Sequence, residues 1–232
     1  MLICGLSVAM APIAANNVAI PAEQSDTAAF IADDAAAAGY EYPDSYVFSP
    51  WSWSRMYNYH VNGEAGSYGY AQSHYREFTA YNDPDEAYQR IAGGRADGAY
   101  LVTEPVENVD VPESAMQSRL HDRLGSRGDG VEGLGRYRAL YVSDSGDYKV
   151  FRVVSGATIR GNASDSTVRL STDVEVDGAS FTYEREASVA DGEFAVTVPY
   201  PGEYDLEGVE SGSVRVNESA VAGGEAVRVG GQ

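Results

Sequence analysis

The chain has 232 residues, enough for one large domain or two small ones, and its 44% hydrophobic content with 17 tyrosines excludes wholesale disorder. Against 16 basic residues stand 35 acidic ones, and the net charge of −19 excludes nucleic acid and anionic lipid as general partners. Lys149 is the only lysine and Cys4 the only cysteine, which excludes an internal disulfide and a cysteine-based zinc site.

Taken in chain order, Met1–Ala15 is apolar and uncharged, shorter than the roughly 20 residues that span a bilayer and without the basic start of a secretory signal. It reads as the outer end of a membrane helix whose beginning is missing. A signal peptide with a misassigned start and a buried helix are the alternatives. Residues 16–24 form a polar linker. Ser25-Asp26 then caps a helix from Thr27 to about Ala38, closed by Gly39. Tyr46–Ser49 is a short strand stopped by Pro50, and a Trp- and Tyr-rich stretch runs from Trp51 to Tyr75. Pro84 opens a helix over Asp85–Ala92, Ala99–Thr103 is a strand, and a proline- and acid-rich loop leads to a helix at Ser114–Leu124. Strands at Tyr137–Ser143 and Tyr148–Val154 flank the turn Asp144-Ser145-Gly146-Asp147. The alternation of helices and short strands indicates a mixed α/β domain over 25–155. After Gly156 the period changes to two residues, with runs at Thr167–Leu170, Val174–Val176, Phe181–Arg185, Phe194–Pro199, Ser213–Asn217 and Ala226–Val229. Turns at Asp177-Gly178, Asp191-Gly192 and Pro201-Gly202 separate these runs, so residues 156–232 read as a small β-sandwich. The fold class is therefore α+β.

Chemistry-bearing residues are few. Both tryptophans fall in Ser49-Pro50-Trp51-Ser52-Trp53-Ser54-Arg55, and Tyr57 and Tyr59 follow closely. Trp51, Trp53, Arg55, Tyr57 and Tyr59 are the candidate binding residues, because flat amphipathic rings stack on sugars or peptides. The alternative is that the tyrosines pack the core with their hydroxyls satisfied locally. No two of His60, His74 and His121 stand at i and i+4, so no metal ligands are assigned, and His121 beside Asp122 reads as a solvated helix face. Gly-x-Ser-x-Gly and phosphate-binding loops are absent, and no catalytic residue is assigned. Asn162-Ala163-Ser164 and Asn217-Glu218-Ser219 are glycosylation sequons, with chance occurrence as the alternative.

The stretch Arg119–Gly161, an Arg-Leu helix, a Gly-rich turn, then "YRALYVS" and "KVFRVV" as paired strands, resembles a particular family. It looks like the end of the exterior domain of archaeal glycosylation protein B, the catalytic subunit of the archaeal oligosaccharyltransferase. The acidic, lysine-poor composition resembles proteins of salt-loving archaea, since screening over roughly 3 Å in molar salt removes surface self-repulsion. The resemblance spans about residues 25–161 and implies a role in protein N-glycosylation, at the cell membrane with the globular part outside. It implies further that the lipid-linked donor and a divalent metal bind a membrane portion, that no cofactor binds this chain, and that the chain is not catalytic alone. Its partners would be the membrane through the N-terminal helix, an acceptor polypeptide and the lipid-linked glycan. The family's Trp-Trp-Asp-Tyr-Gly motif, which receives the acceptor's hydroxyl residue, would fall where this chain reads WSWSR. Trp51 and Trp53 keep its aromatic character, but the carboxylate that would bind a hydroxyl is missing. A non-enzymatic surface-binding or structural module is the competing reading.

Overall fold

The computed structural model describes residues 20–64, 68–95, 99–128, 130–210 and 212–230. The expected membrane segment at Met1–Ala15 lies outside the described residues. Among the described residues no helix is long and apolar enough to cross a membrane.

Helix α1 (Ala22–Ala38) begins about one turn before the expected Ser25-Asp26 cap. Pro21 stands at its N-cap, where its carbonyl accepts the Ser25 N–H at 3.1 Å as the first helical bond, and no side chain caps the helix. Gly39, at φ 70°, ends the helix as expected. The aromatic stretch that follows is two helices, α2 (Trp51–Asn62) and α3 (Tyr68–Ala80). Helices α4 (Pro84–Arg95) and α5 (Met116–His121) complete this half.

These helices cover both faces of a sheet with strand order β1-β2-β4-β3. It comprises β1 (Val47–Phe48), β2 (Tyr100–Thr103), β3 (Tyr137–Val142) and β4 (Lys149–Val153). β1 runs parallel to β2, and the other pairs are antiparallel. All four residues of β2 are buried, as a sheet covered on both sides requires. Tyr100 and Val102 pack with Ile31 and Ala35 of α1 and Tyr57 of α2. Between them Leu101 turns to the other side, toward Phe78, Met116 and Leu120.

The β-rich half holds two more sheets. One has the order β10-β9-β6-β7, from β6 (Thr167–Val176), β7 (Ala179–Ser188), β9 (Gly202–Glu207) and β10 (Ser213–Val216). The other has the order β11-β5-β8, from β5 (Ala157–Asn162), β8 (Glu193–Val198) and β11 (Ala226–Arg228). Burial alternates along β6, with Val168, Leu170, Thr172 and Val174 pointing inward. The two expected runs Thr167–Leu170 and Val174–Val176 are thus one strand, bridged by Thr172, whose hydroxyl donates to the Glu203 carbonyl at 2.9 Å. A short helix α6 (Glu218–Gly223) precedes β11, with Asn217 as its N-cap.

The two halves share one hydrophobic cluster, from Phe48 and Phe78 through Tyr137 and Val153 to Val198, Tyr204 and Val221. Tyrosine hydroxyls tie the seam. Between Ala139 and Tyr141 the β3–β4 register shifts, and there the Tyr200 hydroxyl accepts the Ala139 N–H at 2.9 Å. Tyr183, edge-on to Tyr200, donates to the Leu134 carbonyl at 2.8 Å. The β6–β7 turn closes against β3, with Val142 N–H on the Asp177 carbonyl at 2.9 Å. Gly178 sits there at φ 82°, and a Cβ on it would stand 2.0 Å from the Val142 carbonyl oxygen. Only glycine fits.

Candidate functional site: a groove beside Trp51

Helix α2 positions the aromatic cluster. Its inward side is Ser54, Tyr57 and Asn58, spaced i, i+3 and i+4, and Pro50 fixes the chain direction at the N-cap. Asn58 is fully buried at the outer edge of the sheet. Its Oδ1 accepts the Val47 N–H at 2.9 Å and its Nδ2 donates to the Val47 carbonyl at 2.7 Å and the Ser54 carbonyl at 2.9 Å. One side chain therefore stands in for a neighbouring strand and closes the edge that β1 would leave open.

This geometry distributes the five candidate residues. Trp51, 43% exposed, lies in the first turn of α2. Trp53 is half-buried against the cluster around Ile31 and Val47. Arg55 is exposed, and Tyr59 is 70% exposed. Tyr57 points the other way and is fully buried. Of the five, Trp51 is the one that lines the groove formed by α3 and the loop after β2.

That groove, of about 660 Å³, runs between Pro50-Trp51, the α3 residues Tyr75, Arg76 and Thr79, and the loop from Glu104 to Pro112. Gln117 of α5 lines it too and pins the loop, its Nε2 donating to the Glu104 carbonyl at 2.7 Å. The loop wall is open to solvent and sets Val106, 47% exposed, and Val109, 64% exposed, beside the acidic Glu107 and Asp110. Trp51, Val106 and Val109 are half of the six large apolar side chains exposed among the described residues. Concentration of such surface in one concave place marks a binding site rather than scatter.

Glu104 stands at the end of β2 as the groove's most unusual group. Burial pushes its carboxyl up to about 7, against a hydrogen bond from Gln24 Nε2 at 3.3 Å that favours the charged form. No Lys, Arg or His lies within ion-pair distance of Glu104 among the described residues. Two further buried atoms in this neighbourhood, the Tyr57 hydroxyl and Gln24 Oε1, have no hydrogen-bond partner. Burial raises the Tyr57 hydroxyl far above its ordinary value, and the Glu104 charge adds to the effect. Sequence reasoning missed Glu104 because a carboxylate at a strand end carries no motif. A glutamate directly after the all-apolar run Ala99–Val102 and Thr103 was the available signal.

His121 is buried, not on a solvated face, because every residue of α5 is covered. Its Nδ1 stands 3.1 Å from the Thr103 hydroxyl, and burial followed by the nearby Lys149 charge holds it down to about 4. It is therefore neutral and structural at ordinary pH. His74 stacks on Tyr70, ring centres 4.2 Å apart. Among the described residues no three His, Cys, Asp or Glu side chains are grouped to hold a metal ion.

The two sequon asparagines are both exposed but differ in setting. Asn162 ends β5, its Nδ2 donating to the Gly192 carbonyl at 3.3 Å. Asn217 is occupied as a cap: its Oδ1 accepts the Ala220 N–H at 2.7 Å and the Ser219 hydroxyl at 2.9 Å.

Residues 156–227 match the family model of the archaeal glycosylation protein B long peripheral domain. No curated protein matches the chain. Among solved structures, the Archaeoglobus fulgidus oligosaccharyltransferase in complex with Zn and sulfate aligns with a TM-score of 0.58 and 15% identity. That alignment covers 78% of this chain and 40% of that one. The oligosaccharyltransferase AglB of the same organism, with an inhibitory peptide and a dolichol-phosphate, aligns with a TM-score of 0.60 and 15% identity, over 78% of this chain and 37% of that one. The A. fulgidus enzyme tethered to an acceptor peptide with the NVT sequon gives 0.59 and 14%, over 78% and 38%. The chain thus spans about two fifths of the length of the structures it matches. The sequence resemblance rested on residues 25–161, whereas the family model lies just beyond, on the strands that read as a generic sandwich. Residues 156–227 are thus similar to the archaeal glycosylation protein B long peripheral domain, and 78% of the chain shares the fold of about two fifths of the A. fulgidus oligosaccharyltransferase.

Proposed function

We propose that this chain acts as the exterior part of an oligosaccharyltransferase-like assembly in protein N-glycosylation, and that it docks an acceptor polypeptide in the groove beside Trp51. The observation that carries the reading is the groove itself. Exposed apolar side chains of Trp51, Val106 and Val109 beside the half-buried carboxylate of Glu104 suit the mixed apolar and polar surface of a peptide. Two of the similar structures were solved with peptides, an inhibitory one and an acceptor with a sequon. Glycosyl transfer itself would draw on a lipid-linked donor and a divalent metal held elsewhere in such an assembly. Its place would be at the cell membrane, globular part outside, with residues 1–15 as the membrane attachment.

A second reading, a surface module that binds without any transfer, is favoured by one observation. WSWSR has no carboxylate, so a hydroxyl-bearing residue would lack its fixed acceptor at that point.

The chain's two tryptophans make the test direct. In a Trp53→Phe background, Trp51 emission should shift saturably on titration with an Asn-x-Ser peptide. A flat titration up to millimolar peptide would remove the docking reading.

A further inference from the structure

We propose that the groove selects a cationic side chain, the lysine or arginine of a docked polypeptide, through the carboxylate of Glu104. The inference rests on the docking reading above and adds the chemical class of residue that is read.

Three observations carry it. First, among the described residues Glu104 has a single side-chain partner, Gln24, which is neutral and engages only Oε1. A half-buried carboxylate normally has a cation or several N–H donors, and here neither is supplied. Second, Gln24 is wholly buried and does not line the groove, so the side of Glu104 that lines it is left without a donor among the described residues. An ammonium or guanidinium brings three or five donors to such a place. Third, the rim repeats the sign: Glu107 and Asp110 lie on the same wall of the groove. The opposite wall carries Arg76, which forms no ion pair among the described residues and is exposed, so it leaves the Glu104 end negative. The apolar stretch formed by Trp51, Val106 and Val109 then takes the aliphatic stem of a lysine or arginine, or its apolar neighbours.

The titratable groups that face Glu104 are Tyr57 of α2, Tyr75 of α3 and Tyr148 before β4. All three are raised, by burial first, and stay neutral below pH 9. A proton on Glu104 itself is thus what would switch the preference off.

The experiment uses the whole chain and a set of Asn-Val-Ser peptides, each with one flanking position varied between lysine, norleucine and glutamate. At pH 8 at least one lysine peptide should bind about tenfold tighter than its norleucine twin, as one charge-assisted contact provides. Glu104→Gln should abolish the difference. In the unmodified protein, free of any folding concern, the difference should shrink from pH 8 to pH 5.5. Equal binding of lysine and norleucine peptides in every register, or tighter binding of the glutamate peptide, overturns the charge inference and leaves docking intact. Failure of all peptides to bind overturns both.

Discussion

Replacing Asn58 by alanine removes five hydrogen bonds at once and leaves the buried Val47 N–H and carbonyl without their side-chain partner. Both groups belong to an edge strand two residues long, so no neighbouring strand can take them over. A buried polar group without a partner costs about 1–3 kcal/mol. The two Val47 groups therefore imply a loss of roughly 2–6 kcal/mol, with relaxation and water entry favouring the lower half. Asn62→Ala is the internal control. It stands one turn further along α2 in a half-exposed place and gives up bonds to the Ser45 carbonyl at 3.1 Å and, at 3.4 Å, to Asn58 Oδ1, together with the Glu64 N–H that its own Oδ1 accepts at 2.9 Å. Its cost should be about 1 kcal/mol. Urea unfolding of both variants decides the matter: Asn58→Ala should lower the midpoint with an unchanged slope, several times more than the control does. A loss below about 0.5 kcal/mol for Asn58→Ala would refute the claim that this side chain closes the sheet edge and thereby fixes Trp51.

Other perturbations follow the same logic. Glu104 is raised in the folded state from 4.5 to about 7, so its contribution is fully present below pH 4.5 and is lost as pH rises through 7. Glu104→Gln should accordingly raise Tm at pH 8, and the gain should vanish near pH 4; a constant offset at both would contradict the burial argument. His121 works in the opposite sense, lowered from 6.5 to about 4, so its contribution is present above pH 6.5 and is lost as pH falls through 4. Gly178→Ala forces both a left-handed alanine and a clash with the Val142 carbonyl, and should cost about 2–4 kcal/mol in the same urea assay. The surface charge of −19 predicts higher Tm in molar KCl than in 0.1 M, because the screening length falls from about 10 to about 3 Å; equal values would remove the salt argument.

Much of this fold was legible because its local chemistry is unambiguous. The hairpin around Ser145-Gly146 is marked by its turn residues, the strand at Tyr100–Thr103 by a continuous apolar run, and the strands after Gly156 by two-residue alternation. Helix α2 was not, since Trp-Ser-Trp-Ser-Arg has weak helix propensity and its stability comes from Asn58 and Tyr57 meeting β1 and α1. Strands β5 and β9 were missed for a related reason. Gly202 falls in the expected Pro201-Gly202 turn and residues 157–162 carry no expected element, and only pairing with β8, β11, β6 and β10 makes them strands. At the site, Trp51 was visible as an exposed-type aromatic after a proline. Glu104 acquires its character from burial in the folded chain and from Gln24, 80 positions away. Contacts of that separation leave no local signature.

The central claim, that a polypeptide lies along the groove beside Trp51, is tested most directly by photo-cross-linking. An Asn-x-Ser peptide carrying a diazirine residue is irradiated with the full chain, and the attachment sites are read by peptide mass spectrometry. Attachment within residues 104–112 and around Trp51 or Arg76 is the predicted result. Attachment confined to the β6–β7 face, or none above the level of a scrambled peptide, would contradict it.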